Sequence, residues 1–132
     1  MPDMQSALHA RLVADAAVLA VTGTRIYWTK VPQDSAFPYV RMQTVSDTRP
    51  QNLGDYDAAR TTRVQADCFA TTYGAARALA EKIIAAVANP ATVSGVNFGR
   101  TKAEGPRDLG EDTASGFVHR LSIDLLVEHS LV

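Results

Sequence analysis

The chain has 132 residues and a single cysteine, Cys68. One cysteine excludes an internal disulfide and fits a reducing compartment. Long apolar runs are also missing. None approaches the roughly 18 residues of a membrane-spanning helix. The opening MPDMQSALHARL has no basic start followed by an apolar core, so it does not read as a signal peptide. Synthesis in the cytoplasm is the expectation. A basic excess is lacking too: 13 Lys and Arg stand against 14 Asp and Glu, with no block of one sign. A protein that grips phosphates shows a basic stripe, so specific nucleic-acid binding is not expected. Large aliphatic side chains are scarce. Leu, Ile, Val and Phe number 31, while 21 residues are alanine. That is enough for a folded chain, at a net charge of −1. It is a thin core for one domain of this length, 1–132. Association between copies is one way to add buried area.

Turn signals divide what is present. Over residues 3–20, Met4, Leu8, Leu12, Ala16 and Leu19 recur on one face of a helical period. Asp3 suits the N-cap and Gly23 the exit. RIYWTKV, 25–31, reads as a strand that ends at Pro32 or runs along an edge. VPQDSAFP is a bend leading into a second strand from Tyr39 to Val45. There Val40, Met42 and Thr44 share one face, and Tyr39, Arg41, Gln43 and Val45 the other. Residues 46–58 form a long polar connection. RTTRVQADCF, 60–69, alternates again, with Thr62, Val64, Ala66 and Cys68 on one side. A helix over 73–88, capped by Thr71 or Thr72, carries an apolar stripe of Ala76, Leu79, Ala80, Ile83 and Val87. It stops at Asn89-Pro90. A strand over 92–104 with a possible break at Gly95, a polar loop over 105–115 and a strong strand over 116–128 complete the chain. Helix, three strands, helix, two strands predicts an α+β fold: a mainly antiparallel sheet of about five strands with two helices packed on one face.

The chemistry-bearing motifs are missing. There is no G-x-S-x-G, no G-x-G-x-x-G and no phosphate-binding loop. His119 and His129 share a strand face but stand ten residues apart, about 33 Å at strand rise, too far to share an ion. No catalytic, cofactor-binding or metal-ligating residue is assigned, and no cofactor is expected. Cys68, between apolar strand neighbours, reads as a small buried side chain. Tyr27 and Trp28 suit either an interface or one core and one edge position.

In order along the chain stand an opening helix (ALHARLVADAAVLAVTGTRIYW), the segment VPQDSAFPYVRM, the strand-plus-helix unit TTRVQADCFATTYGAARALAEKIIAAV and FVHRLSIDLLVEH. This arrangement resembles the small tail-completion, or tail-terminator, proteins of long-tailed bacteriophages and gene transfer agents. Residues 25–40 are its most specific part. The resemblance implies a structural, non-enzymatic virion protein at the head–tail junction. Such proteins form a ring, usually of six copies, on the head-proximal end of the tail tube, where they end tube polymerisation and join tail to head. The partners so implied are further copies of itself, the tail tube protein and a head–tail connector or adaptor. DNA passes through the lumen without specific binding.

A subunit interface is expected at Tyr27, Trp28, Phe37, Tyr39 and Arg41. A lumen or docking loop is expected at Asp47, Arg49, Asp55 and Asp57. Two other readings stay open: a head-side neck adaptor, and a small cytoplasmic ligand-binding domain.

Overall fold

In a computed structural model of the chain, the described residues are 3–33, 35–48, 60–113 and 116–131. The opening helical pattern becomes two helices, α1 (Met4–Ala14) and α2 (Ala16–Thr22). Asp3 caps the first, accepting from the Ser6 N–H at 2.7 Å. Asp15 divides them. Its backbone is extended at ψ 121°, and its carboxylate accepts from the N–H groups of Ala17 and Val18 at 3.0 and 3.1 Å. An aspartate competes with helical hydrogen bonding, and as an N-cap it contributes about 1 kcal/mol. The break re-aims the face that follows. Val18 and Thr22 are buried, whereas Ala16 and Leu19, expected in the stripe, are exposed.

The remaining elements are β1 (Ile26–Trp28), β2 (Tyr39–Thr48), β3 (Arg60–Ala70), α3 (Tyr73–Val87), β4 (Ala91–Val93), β5 (Val96–Phe98), β6 (Lys102–Asp108), β7 (Glu111–Thr113) and β8 (Gly116–Leu131). The sheet runs β1-β2-β3-β8-β5-β4, with β6 and β7 also on β8. Sixteen-residue β8 is the spine. β3 lies along one of its edges. Along the other lie β7 at residues 116–118, β6 at 121–126 and β5 at 129–131, end to end.

The α+β class holds, with three corrections. Among the described residues there are three helices, because of Asp15. The sheet is mixed: β1 pairs parallel to β2, Ile26 opposite Val40, while the other pairings are antiparallel. The polar bend therefore returns the chain to the start of a parallel neighbour instead of closing a hairpin. The strands also exceed five. The expected strand 92–104 is a hairpin, β4–β5, turned at Ser94 and Gly95 with φ 50° and 81°, followed by β6. The expected loop 105–115 holds the end of β6 and β7. Gly105-Pro106 reads as loop chemistry, yet here it forms a bulge in an exposed edge strand, with the register shifting between Glu104 and Arg107. A Cβ on Gly105 would lie 3.0 Å from the Ser122 carbonyl, and φ there is 102°.

The core lies between the helices and one sheet face. Val40 and Met42 of β2, Val64, Ala66 and Cys68 of β3, and Ile123, Leu125 and Val127 of β8 meet Leu8, Leu12, Leu79 and Ile83. The stripe of α3 is buried as its spacing predicts, and Thr72 caps it, accepting from the Ala75 N–H at 3.1 Å. Each fully buried Leu or Ile contributes about 1.5–3 kcal/mol.

Candidate functional site on the sheet face away from the helices

Side chains alternate across a strand, so the face opposite the core is set by the same register. Pairing aligns Tyr39 with Phe69 and Arg120, then Arg41 with Asp67 and Ser122, then Gln43 with Gln65 and Asp124. The first row is aromatic. Tyr39 stacks on Phe69 at 4.7 Å between centroids, and Phe37 stacks on Tyr39 at 5.3 Å. Tyr27 tilts against Tyr39 at 6.2 Å and meets the Ser35 hydroxyl at 3.1 Å. Phe37, at the end of the stack, is 39% exposed.

The second row is ionic. The Asp67 side chain is wholly buried, and its Oδ2 accepts from Arg41 at 2.9 Å and Arg120 at 3.0 Å. Gln65 donates to Oδ1 at 3.0 Å. Both guanidinium groups lie over the Phe69 ring, 5.7 and 5.8 Å from its centroid. Burial alone would raise the Asp67 carboxyl. Hydrogen bonds from Arg41, Gln65 and Ser122 and the charge of Arg120 outweigh it, so the carboxyl is held below the ordinary range. In the third row Asp124 accepts from Arg63 at 2.9 Å and Arg107 at 3.3 Å.

Of the five expected interface residues, Tyr27, Phe37, Tyr39 and Arg41 meet on this face. Trp28 does not. It points to the helix side, packs on the core and donates its Nε1–H to the Gln5 carbonyl at 3.2 Å. Phe69, Asp67 and Arg120 complete the cluster. Alternation assigns each of them to the polar side of its own strand, but only strand pairing brings them together.

β1 is an edge strand, as Pro32 suggested, yet its outward main-chain groups are largely occupied. The Ile26 carbonyl accepts from His9 Nε2 at 3.0 Å, the Ile26 N–H donates to Thr24, and the Trp28 carbonyl accepts from Lys30. Little of its main chain is left free to pair with an added strand. An open groove of about 890 Å³ lies between α1 and β1, lined in part by Asp3, Gln5, Trp28 and Lys30.

Of the expected lumen or docking residues, Arg49, Asp55 and Asp57 lie outside the described residues. Asp47 belongs to β2. The bulge between Thr44 and Ser46 sets it opposite Thr62, whose hydroxyl donates to Asp47 at 2.9 Å and meets His129 Nε2 at 2.8 Å. His129 is buried, the histidine packed in the sheet. His119 sits between the rings of Tyr73 and Phe117 at 6.2 and 4.8 Å. Among the described residues no three His, Cys, Asp or Glu side chains gather as a metal site requires.

Cys68 is fully buried, and burial, with the charge of Asp67 next to it, pushes its thiol far above the usual range. The native protein is expected to leave an aromatic disulfide reagent unreacted at pH 8 and to react at one thiol per chain once denatured. Stoichiometric labelling of the native state at the rate of a free thiol would contradict this.

The sequence matches the family model for tail completion protein gp17 over residues 6–128. Comparison with curated proteins gives no match. A chain from the virion of a native gene transfer agent particle superposes with a TM-score of 0.65 at 20% identity, covering 97% of this chain and 93% of that one. A second solved chain superposes with a TM-score of 0.59 at 14% identity, covering 99% of each. At these identities the likeness is one of fold.

Proposed function

The chain belongs to the tail completion protein gp17 family, and on that premise we propose that it forms a ring, of six copies, on the head-proximal end of a tail tube. The ring ends tube polymerisation and presents a surface to the head connector or adaptor. Its role is structural and not catalytic. The observation that carries this reading is the aromatic and arginine cluster on the sheet face away from the helices. A chain with a thin core holds Phe37 39% exposed at the end of a three-ring stack, beside Arg41 and Arg120. Exposed aromatic side chains next to arginine are the composition of a protein interface. The nearly balanced charge, −1 overall, supports a lumen that lets DNA pass without holding it.

Electron microscopy of this chain, labelled and mixed with tail tubes, tests the reading. A sixfold ring at one end of the tube is the expected result. Label at a twelvefold connector would move the protein to the head side, and tubes that lengthen without limit in its presence would remove the terminating role.

A further inference from the structure

The two lateral margins of the sheet differ in chemistry. On the β1–β2 side stand Phe37, Tyr39 and Arg41. Arg41 and Arg120 share one carboxylate, Asp67, so the cluster keeps a net positive charge. The Arg41 side chain stays 29% exposed. On the far side, among the described residues, β6 and β7 pair only with β8. Where they meet, the chain reads Asp108-Leu109-Gly110-Glu111-Asp112. Leu109 is 42% exposed, and Asp108 and Asp112 are exposed beside it. This margin is acidic with an apolar tip. The opposite margin is cationic with an apolar tip.

Neither margin invites another strand. The outward groups of β1 are largely occupied within the chain. β6 carries Pro106 at a bulge and the charged residues Lys102, Glu104, Arg107 and Asp108, devices that discourage edge pairing. Complementary side chains are what remains. We infer that the segment Asp108–Asp112 of one copy seats on the Phe37–Tyr39–Arg41 cluster of the next, with Leu109 against Phe37 and the carboxylates of Asp108 and Asp112 towards Arg41. The contact joins two different surfaces, so it is heterologous and repeats head to tail, the kind of interface from which a closed ring is built. Opposite charge also sets the orientation of encounter and disfavours a symmetric pair that would bring two cationic clusters together. The inference rests on the ring reading and names its interface.

Within one chain Phe37 and Leu109 cannot touch. Phe37 lies beside Tyr39 of β2, Leu109 bonds to Arg120 of β8, and β3 stands between. Three strand spacings separate them, about 14 Å, beyond the roughly 7 Å limit for a disulfide between Cα atoms. The double variant Phe37→Cys with Leu109→Cys therefore tests the contact, since buried Cys68 stays out of the chemistry. Protein assembled on tail tubes and mildly oxidised is expected to run as a ladder of covalent multimers on a non-reducing gel. Each single variant is expected to stay a monomer.

Asp108→Lys with Asp112→Lys, both exposed positions, is expected to weaken assembly at least tenfold at low salt and to abolish the ladder in that background. Rings by microscopy without a ladder would leave the ring standing and overturn this interface. Absence of rings for the wild type under every condition would overturn both. A covalent dimer from Phe37→Cys alone would show a symmetric contact and also overturn it.

Discussion

Asp67→Ala is expected to destabilise the fold by about 3 kcal/mol at pH 7 and to leave it without part of its acid sensitivity. The carboxylate is the shared acceptor for Arg41 and Arg120, and its side chain is wholly buried. Removing one member of such a group leaves the others uncompensated, at about 3–5 kcal/mol for a fully buried set. The arginine side chains keep 29% and 24% of their surface exposed. They recover some hydration in the variant, which places the expected cost at the low end of that range. Asp67→Asn keeps an acceptor oxygen while losing the charge, so its cost is smaller.

The pH dependence follows from the depressed carboxyl. The unfolded chain takes up a proton near pH 3.9, and the folded chain does so only at lower pH. Between those values the unfolded state binds more protons. This part of the stability is present above about pH 3.9 and is lost as pH falls through the folded value. Urea denaturation of both proteins from pH 7 to pH 2 measures it. The gap between wild type and Asp67→Ala is expected to be constant above pH 5 and to narrow below pH 4. A gap under 1 kcal/mol at pH 7, or one that does not change down to pH 2, would show that Asp67 holds nothing together.

How much of this was legible in the sequence depends on the range of the interaction. The stripe of α3, its cap and its Arg77–Glu81 pair follow from spacing within one helix, and the pair is present at 3.2 Å. The alternation of β2, β3 and β8 was equally local, and it set Arg41, Asp67 and Arg120 on the polar sides of their strands. Which of them meet was not local. A single bulge or a slip of one residue re-pairs every row, and no residue in one strand announces its partner in another.

The break at Asp15 was missed because an aspartate in a helical period reads as a wet-face residue until its carboxylate is seen to cap the next turn. The end of β6 was missed because an exposed edge strand needs no apolar alternation, and its Gly-Pro step mimics a loop. The resemblance in residues 25–40 pointed to the aromatic surface. It could not separate Trp28, which serves the core, from Tyr27 on the adjoining face, because that depends on which side of β1 the helices cover.

The polar chain Asp47–Thr62–His129, buried at Thr62 and His129, gives the second large effect. The Thr62 hydroxyl has one proton and donates it to Asp47 at 2.9 Å. The 2.8 Å contact with His129 is then a donation from His129 Nε2–H to the hydroxyl oxygen, and the neutral ring carries its proton on Nε2. Thr62→Val keeps the shape and removes both bonds. A buried donor left without a partner costs about 1–3 kcal/mol, and that loss is expected at pH 8, where the ring is neutral in both states.

Burial holds the His129 pKa below its ordinary value, and the charge of Arg60 adds to this against the opposing charge of Asp47. A depressed histidine contributes stability that is full above the unfolded value, about 6.5, and is lost as pH falls through the folded value. The wild type is therefore expected to lose stability as pH falls below about 6.5, in a window separate from that of Asp67. Thr62→Val keeps the burial, so its stability is lower at every pH while the slope persists. His129→Gln has nothing to titrate there, and the slope between pH 6.5 and 5 is expected to flatten. Chemical denaturation of the three proteins at pH 8, 7, 6 and 5 separates the two contributions. An unaltered slope in His129→Gln would assign the acid sensitivity to another group. An unaltered stability in Thr62→Val at pH 8 would mean that the hydroxyl does not link β2 to β8.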